Sequence, residues 1–279
     1  MFLRALVVPS WALPIANVAM CEVFLGIPLL ALCYAAKDRW SPKLAVAFLI
    51  SGLCIQAPTI YVSNHVFHHP GLVPDMVAAV GQIGLLTWCV GLGALLATLI
   101  KDQNLLVPIA IFLACLDMFL VFSPLGTTHV VLNRLPGVLP AVGLHIPVAR
   151  TFDSGRRRVD SDLVAGPADF MFLAMFMISL FRFNLKGKRT VMVVVPVLLI
   201  YMILVGLFHW SLPALLPIGA CVLLVNWKEF NLTRDEQLST ALIALIGVGL
   251  VTWGMFQKPK LVVQPEPSQP AVVQGLPAR

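Results

Sequence analysis

Charge is scarce in this chain. Only 11% of its 279 residues are Asp, Glu, Lys or Arg, while 59% are hydrophobic. A soluble globular domain carries about 25% charged and about 45–50% apolar residues, so a soluble domain is excluded and a multi-pass membrane protein is expected. Paired cysteine motifs are also missing. Cys21, Cys33, Cys54, Cys89, Cys115 and Cys221 all lie inside apolar runs, and none forms a Cys-x-x-Cys pair. They read as small buried side chains, not as a disulfide framework or a metal site. No internal repeat suggests an inverted-repeat transporter. The net charge of +6 is modest and lies mostly between apolar runs, as in loops that anchor helices and not as in a nucleic-acid surface.

What the sequence has in abundance is apolar runs close to the roughly 20 residues that a spanning helix needs. Eight are expected to span, at about Ala5–Ala36, Leu44–Val62, Leu72–Ile100, Leu105–Phe122, Leu163–Phe183, Val191–Phe208, Leu212–Trp227 and Leu238–Phe256. The expected fold is therefore all-α, a polytopic bundle of about eight segments. The first run is too long for one straight crossing and contains Pro9, Pro14 and Pro28. It reads as a kinked helix, or as an interfacial piece followed by a helix. Arg4, the run and Ala19 imitate a signal peptide, but the internal prolines favour a retained helix. From Gln257 onward, five prolines mark a disordered extension. The expected organisation is 1–104 N-terminal membrane segments, 105–227 a central core, 228–256 an additional segment and 257–279 the tail.

The longest stretch between runs, Ser123 to Asp162, holds Arg134, Arg150 and Arg156-Arg157-Arg158. Within it, Leu135 to Ala149 is apolar but short and broken by prolines, which suggests a re-entrant or interfacial element. The opposite side collects the short positive loops around Lys37–Lys43, Lys101, Arg182–Arg189 and Lys228–Arg234. The recurrence of charge there favours that side as cytoplasmic.

Glu22, Asp117 and Asp169 stand deepest inside apolar runs, where a charge costs on the order of 3 kcal/mol or more. Glu22 has two readings, a proton or substrate contact and a structural acid paired within the bundle. His65, His68 and His69 form His-x-x-His-His, a spacing that could hold a metal on a helix. Pro70, Gly71 and Pro74 indicate a loop instead, and no metal is assigned. Asp117 lies five residues before the end of its run, and Asp169 six after the start of the next. Consecutive antiparallel segments then put both carboxylates roughly 8–9 Å below one surface. Pro213-Ala214-Leu215 opens a later segment at similar depth. Pro213 keeps Leu212 out of helix, freeing backbone groups to pair with a substrate strand; the alternative is an ordinary first-turn proline. Two carboxylates that share a proton suit general acid/base hydrolysis of an amide. Spacing alone equally allows a proton- or ion-coupled transporter or channel, with Glu22 and the histidines on its route.

Leu116-Asp117, Gly166-Pro167-Ala168-Asp169 and Pro213-Ala214-Leu215 occur in an order that resembles the presenilin and signal-peptide-peptidase family of intramembrane aspartyl proteases. Asp169-Phe170-Met171-Phe172 and Pro217-Ile218 are similar to the family's continuations, and the resemblance covers roughly Leu105 to Val225. It implies a presenilin-like catalytic core in a divergent, prokaryotic member: an intramembrane aspartic endopeptidase with Asp117 and Asp169 as catalytic dyad and no cofactor. It further implies substrate contacts at Gly166, Pro167, Ala168, Leu212, Pro213, Ala214 and Leu215. The implied partners are transmembrane segments of substrate proteins within the lipid bilayer, the implied location a prokaryotic plasma membrane. Leu116 stands where the family has tyrosine, and Ala168 where it has glycine. Three segments precede the first aspartate instead of five. A non-catalytic relative that binds membrane helices is the corresponding alternative.

Overall fold

The structure is a computed structural model that describes residues 12–66, 72–123, 143–146, 163–208 and 213–257. Among them are eight α-helices: α1 (Leu13–Ala35), α2 (Pro42–His65), α3 (Leu72–Leu99), α4 (Leu106–Phe122), α5 (Pro167–Arg182), α6 (Gly187–Phe208), α7 (Leu215–Asn226) and α8 (Arg234–Phe256). Six of these, all but α5 and α7, are long and apolar enough to cross a membrane, α4 together with the short 3-10 turn before it. The chain is an integral, multi-pass membrane protein. Arg4 and Pro9, the histidines His68 and His69, the five long-loop arginines and the tail beyond Gln257 lie outside the described residues.

Two expected elements differ. The run Leu163–Phe183 is not one helix. Leu163–Ala165 forms a strand (β2) that pairs antiparallel with Leu144–Ile146 (β1), in the register Leu144 to Ala165. The described residues are otherwise helical, as expected; this short pair is the local exception, and it includes 144–146 of the expected re-entrant element. The cause is local. Pro167 has no N–H and favours extended backbone before it, and Gly166 is extended, with φ −69° and ψ 141°. Helix α5 starts at Pro167, the first-turn position that suits proline. The last apolar run of the expected core is likewise trimmed: α7 begins only at Leu215.

Helix α5 is the core of the bundle. Phe170 and every residue from Leu173 to Leu180 are buried, and α1, α3, α6 and α7 all pack against it. Helix α1 offers it and α6 a stripe of Cys21, Leu25, Leu29, Leu32 and Ala36 at three- and four-residue spacing, the period of one helical face. Small residues set the closest approaches, as is usual where lipid supplies no hydrophobic force between helices. Gly52, Gly84 and Gly91 let α2 and α3 touch backbone to backbone, and Gly93 lets α3 reach α5.

The turns at the end of the bundle away from β1 and β2 are tied together by polar bonds. Arg182 donates from Nη1 to the carbonyls of Ala97 (2.6 Å) and Ile100 (3.1 Å) at the end of α3. Buried Asn226 accepts the Lys186 N–H and donates to Thr190 Oγ1 and the Val222 carbonyl. Lys186 pairs with Glu229 at 2.8 Å. These bonds fix the depths of α5, α6 and α7 relative to one another.

A methyl on Gly93 would fall on the Met171 carbonyl oxygen, 2.7 Å from Ala174 Cβ and 3.0 Å from the Met175 nitrogen. Gly93→Ala should therefore destabilise the protein by about 1–3 kcal/mol, the usual cost of overpacking. Thermal unfolding in detergent checks this. Gly249→Ala, whose methyl meets nothing within 4 Å, should leave the transition in place.

Candidate active site

Helix length sets the depth of the site. Helix α7 has 12 residues and α5 has 16, about 18 and 24 Å at 1.5 Å per residue. Both fall short of a hydrocarbon core of about 30 Å. Asp117 lies eleven residues from the start of α4, Leu215 eleven from the end of α7, and Asp169 thirteen from the end of α5. Counted from the tied end of the bundle, the three stand at about 16–20 Å. The depth count from the opposite surface needs correction, because α5 begins at Pro167 and Asp169 belongs to its first turn.

Each carboxylate lies at the N-terminus of a helix. The first backbone N–H groups of a helix have no partner in the helix, and the helix dipole favours negative charge there. Asp169 is the third residue of α5 and accepts the N–H of Gly166, the residue that caps the helix. That is half of a capping box. Asp117 acts across helices. Its Oδ2 accepts the N–H of Leu215 at 2.8 Å, at the start of α7, where Ala214 supplies no side-chain cap.

The packing that aims Asp117 follows from two face-sharing pairs. Ala110 and Asp117 are two turns apart on one face of α4, and Leu215 and Gly219 one turn apart on α7. A methyl on Gly219 would stand 3.3 Å from the Ala110 carbonyl oxygen. The bare glycine thus permits the close approach that lets a short aspartate side chain reach the start of α7.

The structure brings Asp117, Asp169, Gly166, Pro167, Pro213, Ala214 and Leu215 to one region. The two carboxylates are near enough to repel one another, although α4 and α5 meet chiefly through α7, which packs on both. Beside Asp169 is a small, almost wholly apolar pocket of about 20 Å³, lined by Leu25, Leu29, Leu198, Met202 and Ala214. Ala168 is exposed. Leu212 lies outside the described residues. The Pro213 carbonyl is engaged: it accepts the Tyr201 hydroxyl at 2.7 Å.

Other candidates stay outside this cluster. His65 is exposed and packs its ring on Tyr61, and no group of three metal-binding side chains exists among the described residues. Glu22 is partly buried, and its Oε1 has no hydrogen-bond partner among the described residues. Two residues near the aspartates escaped the sequence reading. Cys89, fully buried, directs its thiol at the Pro167 carbonyl at 3.4 Å. Tyr201 feels both carboxylates electrostatically. A hydroxyl inside an apolar run was the available signal, since such a group needs a partner in lipid.

Comparison with known proteins gives no match: no family model, curated protein or solved structure is significantly similar to this chain.

The cap on α7 is testable without any activity. Asp117→Ala leaves the Leu215 N–H without its acceptor. Stability should fall by about 1–2 kcal/mol, the usual loss for a helix cap, with faster amide exchange confined to the first turn of α7. Asp117→Asn keeps a carboxamide oxygen and should lose less.

Proposed function

We propose that this chain is an intramembrane aspartyl protease that hydrolyses peptide bonds within transmembrane segments of other proteins. The observation that carries the reading is the convergence of two carboxylates from separate helices at one depth inside the apolar bundle, where both meet helix N-termini. The resemblance of the three motifs to the presenilin and signal-peptide-peptidase family supports it.

The chemistry needs one carboxyl protonated and the other ionised, the state favoured when two negative charges are held close and away from water. The ionised group takes a proton from water as the water oxygen attacks the amide carbon. The protonated group gives its proton to the carbonyl oxygen. The tetrahedral diol then returns a proton to the carboxylate, the amide nitrogen gains one, and the C–N bond breaks. The products are an acid and an amine, and the dyad is restored without a covalent intermediate. Each aspartate has one backbone N–H to accept, which orients the carboxyl and leaves acceptor capacity for water and substrate.

A substrate helix must unwind before its amide is attacked, and an unwound backbone in lipid needs hydrogen-bond partners. β2 leads directly into Gly166 and α5, and among the described residues it pairs with β1 alone. Its second edge offers backbone groups to an extended substrate segment, in the manner of strand addition. Gly166, Pro167, Ala168 and Pro213 to Leu215 then line the path from strand to aspartates. The charge of the short loops favours a mouth that faces away from the cytoplasm, and the family resemblance implies the plasma membrane of a prokaryote.

Wild-type protein reconstituted with a transmembrane peptide should cleave it, and Asp117→Asn and Asp169→Asn should each lower the rate on the order of 10²- to 10⁴-fold. Full rate in either variant overturns the dyad. Ion or proton flux that depends on these aspartates, without cleavage, would assign the chain to the transporters instead.

A further inference from the structure

We infer that Tyr201 is a positioning residue for the aspartate site: its hydroxyl holds the Pro213 carbonyl, and through the turn Pro213–Leu215 it fixes the backbone N–H that Asp117 accepts. The catalytic side of this inference rests on the protease reading; the structural side does not.

Two of the backbone groups outside the helical ladder at the start of α7 have side-chain partners. The Pro213 carbonyl precedes the helix, and the Leu215 N–H is one of its unpaired first donors. In an apolar surrounding each needs a partner. Both partners are side chains from other helices. Tyr201 of α6 donates to the Pro213 carbonyl at 2.7 Å, and Asp117 of α4 accepts from Leu215 at 2.8 Å. Helix α7 packs on both α4 and α6, so its first turn is clamped from two sides.

The clamp is stiff where it matters. Pro213 fixes its own φ, and only Ala214, buried, separates it from Leu215. A shift of the Pro213 carbonyl is therefore passed to the Leu215 N–H with little loss. Tyr201 is also well placed to matter for both aspartates, since its hydroxyl lies within electrostatic reach of each. Its neighbours on α6, Leu198 and Met202, line the pocket beside Asp169. Of the chain's three tyrosines, Tyr34 and Tyr61 are exposed; Tyr201 is the one set against the site. A tyrosine hydroxyl thus serves the site from α6, although Leu116 leaves none beside Asp117 on α4.

The test uses the full-length protein in lipid nanodiscs with Tyr201→Phe, which keeps the ring and deletes the hydroxyl. Amide hydrogen exchange at Leu215, Leu216 and Ile218 (Pro217 has no N–H) should speed up about fivefold to tenfold, as expected for one lost hydrogen bond, with the remainder of α6 and α7 unchanged. For a transmembrane peptide, kcat should fall roughly tenfold while KM stays within about twofold, the signature of a misplaced catalytic group and not of lost substrate binding. Exchange at these amides equal to wild type overturns the inference, whatever the rate. So does an unchanged kcat in a cleaving protein. If Tyr201→Phe does not fold, an amide-to-ester exchange at Ala214 weakens the Pro213 carbonyl as acceptor and leaves Tyr201 in place. The same local loosening is expected, and its absence overturns the inference equally. If the wild type cleaves nothing, the protease reading fails by itself, and the exchange result alone decides whether Tyr201 positions Asp117.

Discussion

The hydrogen bond from the Leu215 N–H to Asp117 sits where several constraints of this fold meet. A helix that begins inside a bilayer exposes donors that water cannot reach, and each unpaired donor costs several kcal/mol there. Helix α7 begins in that way, about 18 Å from its far end, and Ala214 offers no side-chain cap. A carboxylate from α4 completes it. The aspartate gains as well, because the positive end of a helix is among the few places in an apolar bundle that favours its charge. Asp169 repeats the arrangement within its own helix, through Gly166. Each acid is costly to bury alone, and each helix start is costly to leave bare, so the two problems offset each other.

The remainder of the bundle holds these ends in place. Helix α5, buried along most of its length, is the post against which α1, α3, α6 and α7 pack. Glycines bring the backbones close enough for short side chains to reach: Gly93 toward α5, and Gly219 toward α4. At the other end, Asn226, Arg182 and the Lys186–Glu229 pair tie the turns together. An error in depth there would be carried along rigid helices to the aspartates. The polar network and the site are thus two ends of one mechanical unit.

Two short helices give the site its location. A span of full length would carry its N-terminus to the water surface, where solvent satisfies it and no side chain is required. Helices α5 and α7 are shorter than a bilayer core of about 30 Å, and both start against helices that are long enough to span it. The strand pair β1–β2 leads into α5 at that level, giving hydrogen-bonded backbone where a helix would otherwise continue. Tyr201 belongs to the same logic, since it satisfies the carbonyl that the late start of α7 leaves outside the helical ladder.

The sequence by itself determined the membrane class and, among the described residues, the positions of the eight helices and most of their bounds, though six and not eight are long enough to span. Apolar content and run length are summed along the chain and do not depend on what packs against what. It also marked Asp117 and Asp169, because a charge inside an apolar run is visible without any fold. Pro167 was legible as a helix start, since proline acts on its own backbone and its neighbour. The strand at Leu163–Ala165 was not legible, because a three-residue apolar segment reads equally well as the first turn of a helix, and only pairing with Leu144–Ile146 decides it. The roles of Tyr201 and Cys89 were hidden for a related reason. A hydroxyl or thiol in an apolar run signals that a partner is needed, but which carbonyl accepts it depends on helix rotation and depth, and those are set by glycine contacts and turn bonds between residues far apart in the chain. Only the tertiary structure decided that Asp117 meets the start of α7, because that bond joins residues 98 positions apart and exists only when two helices are packed at the right height.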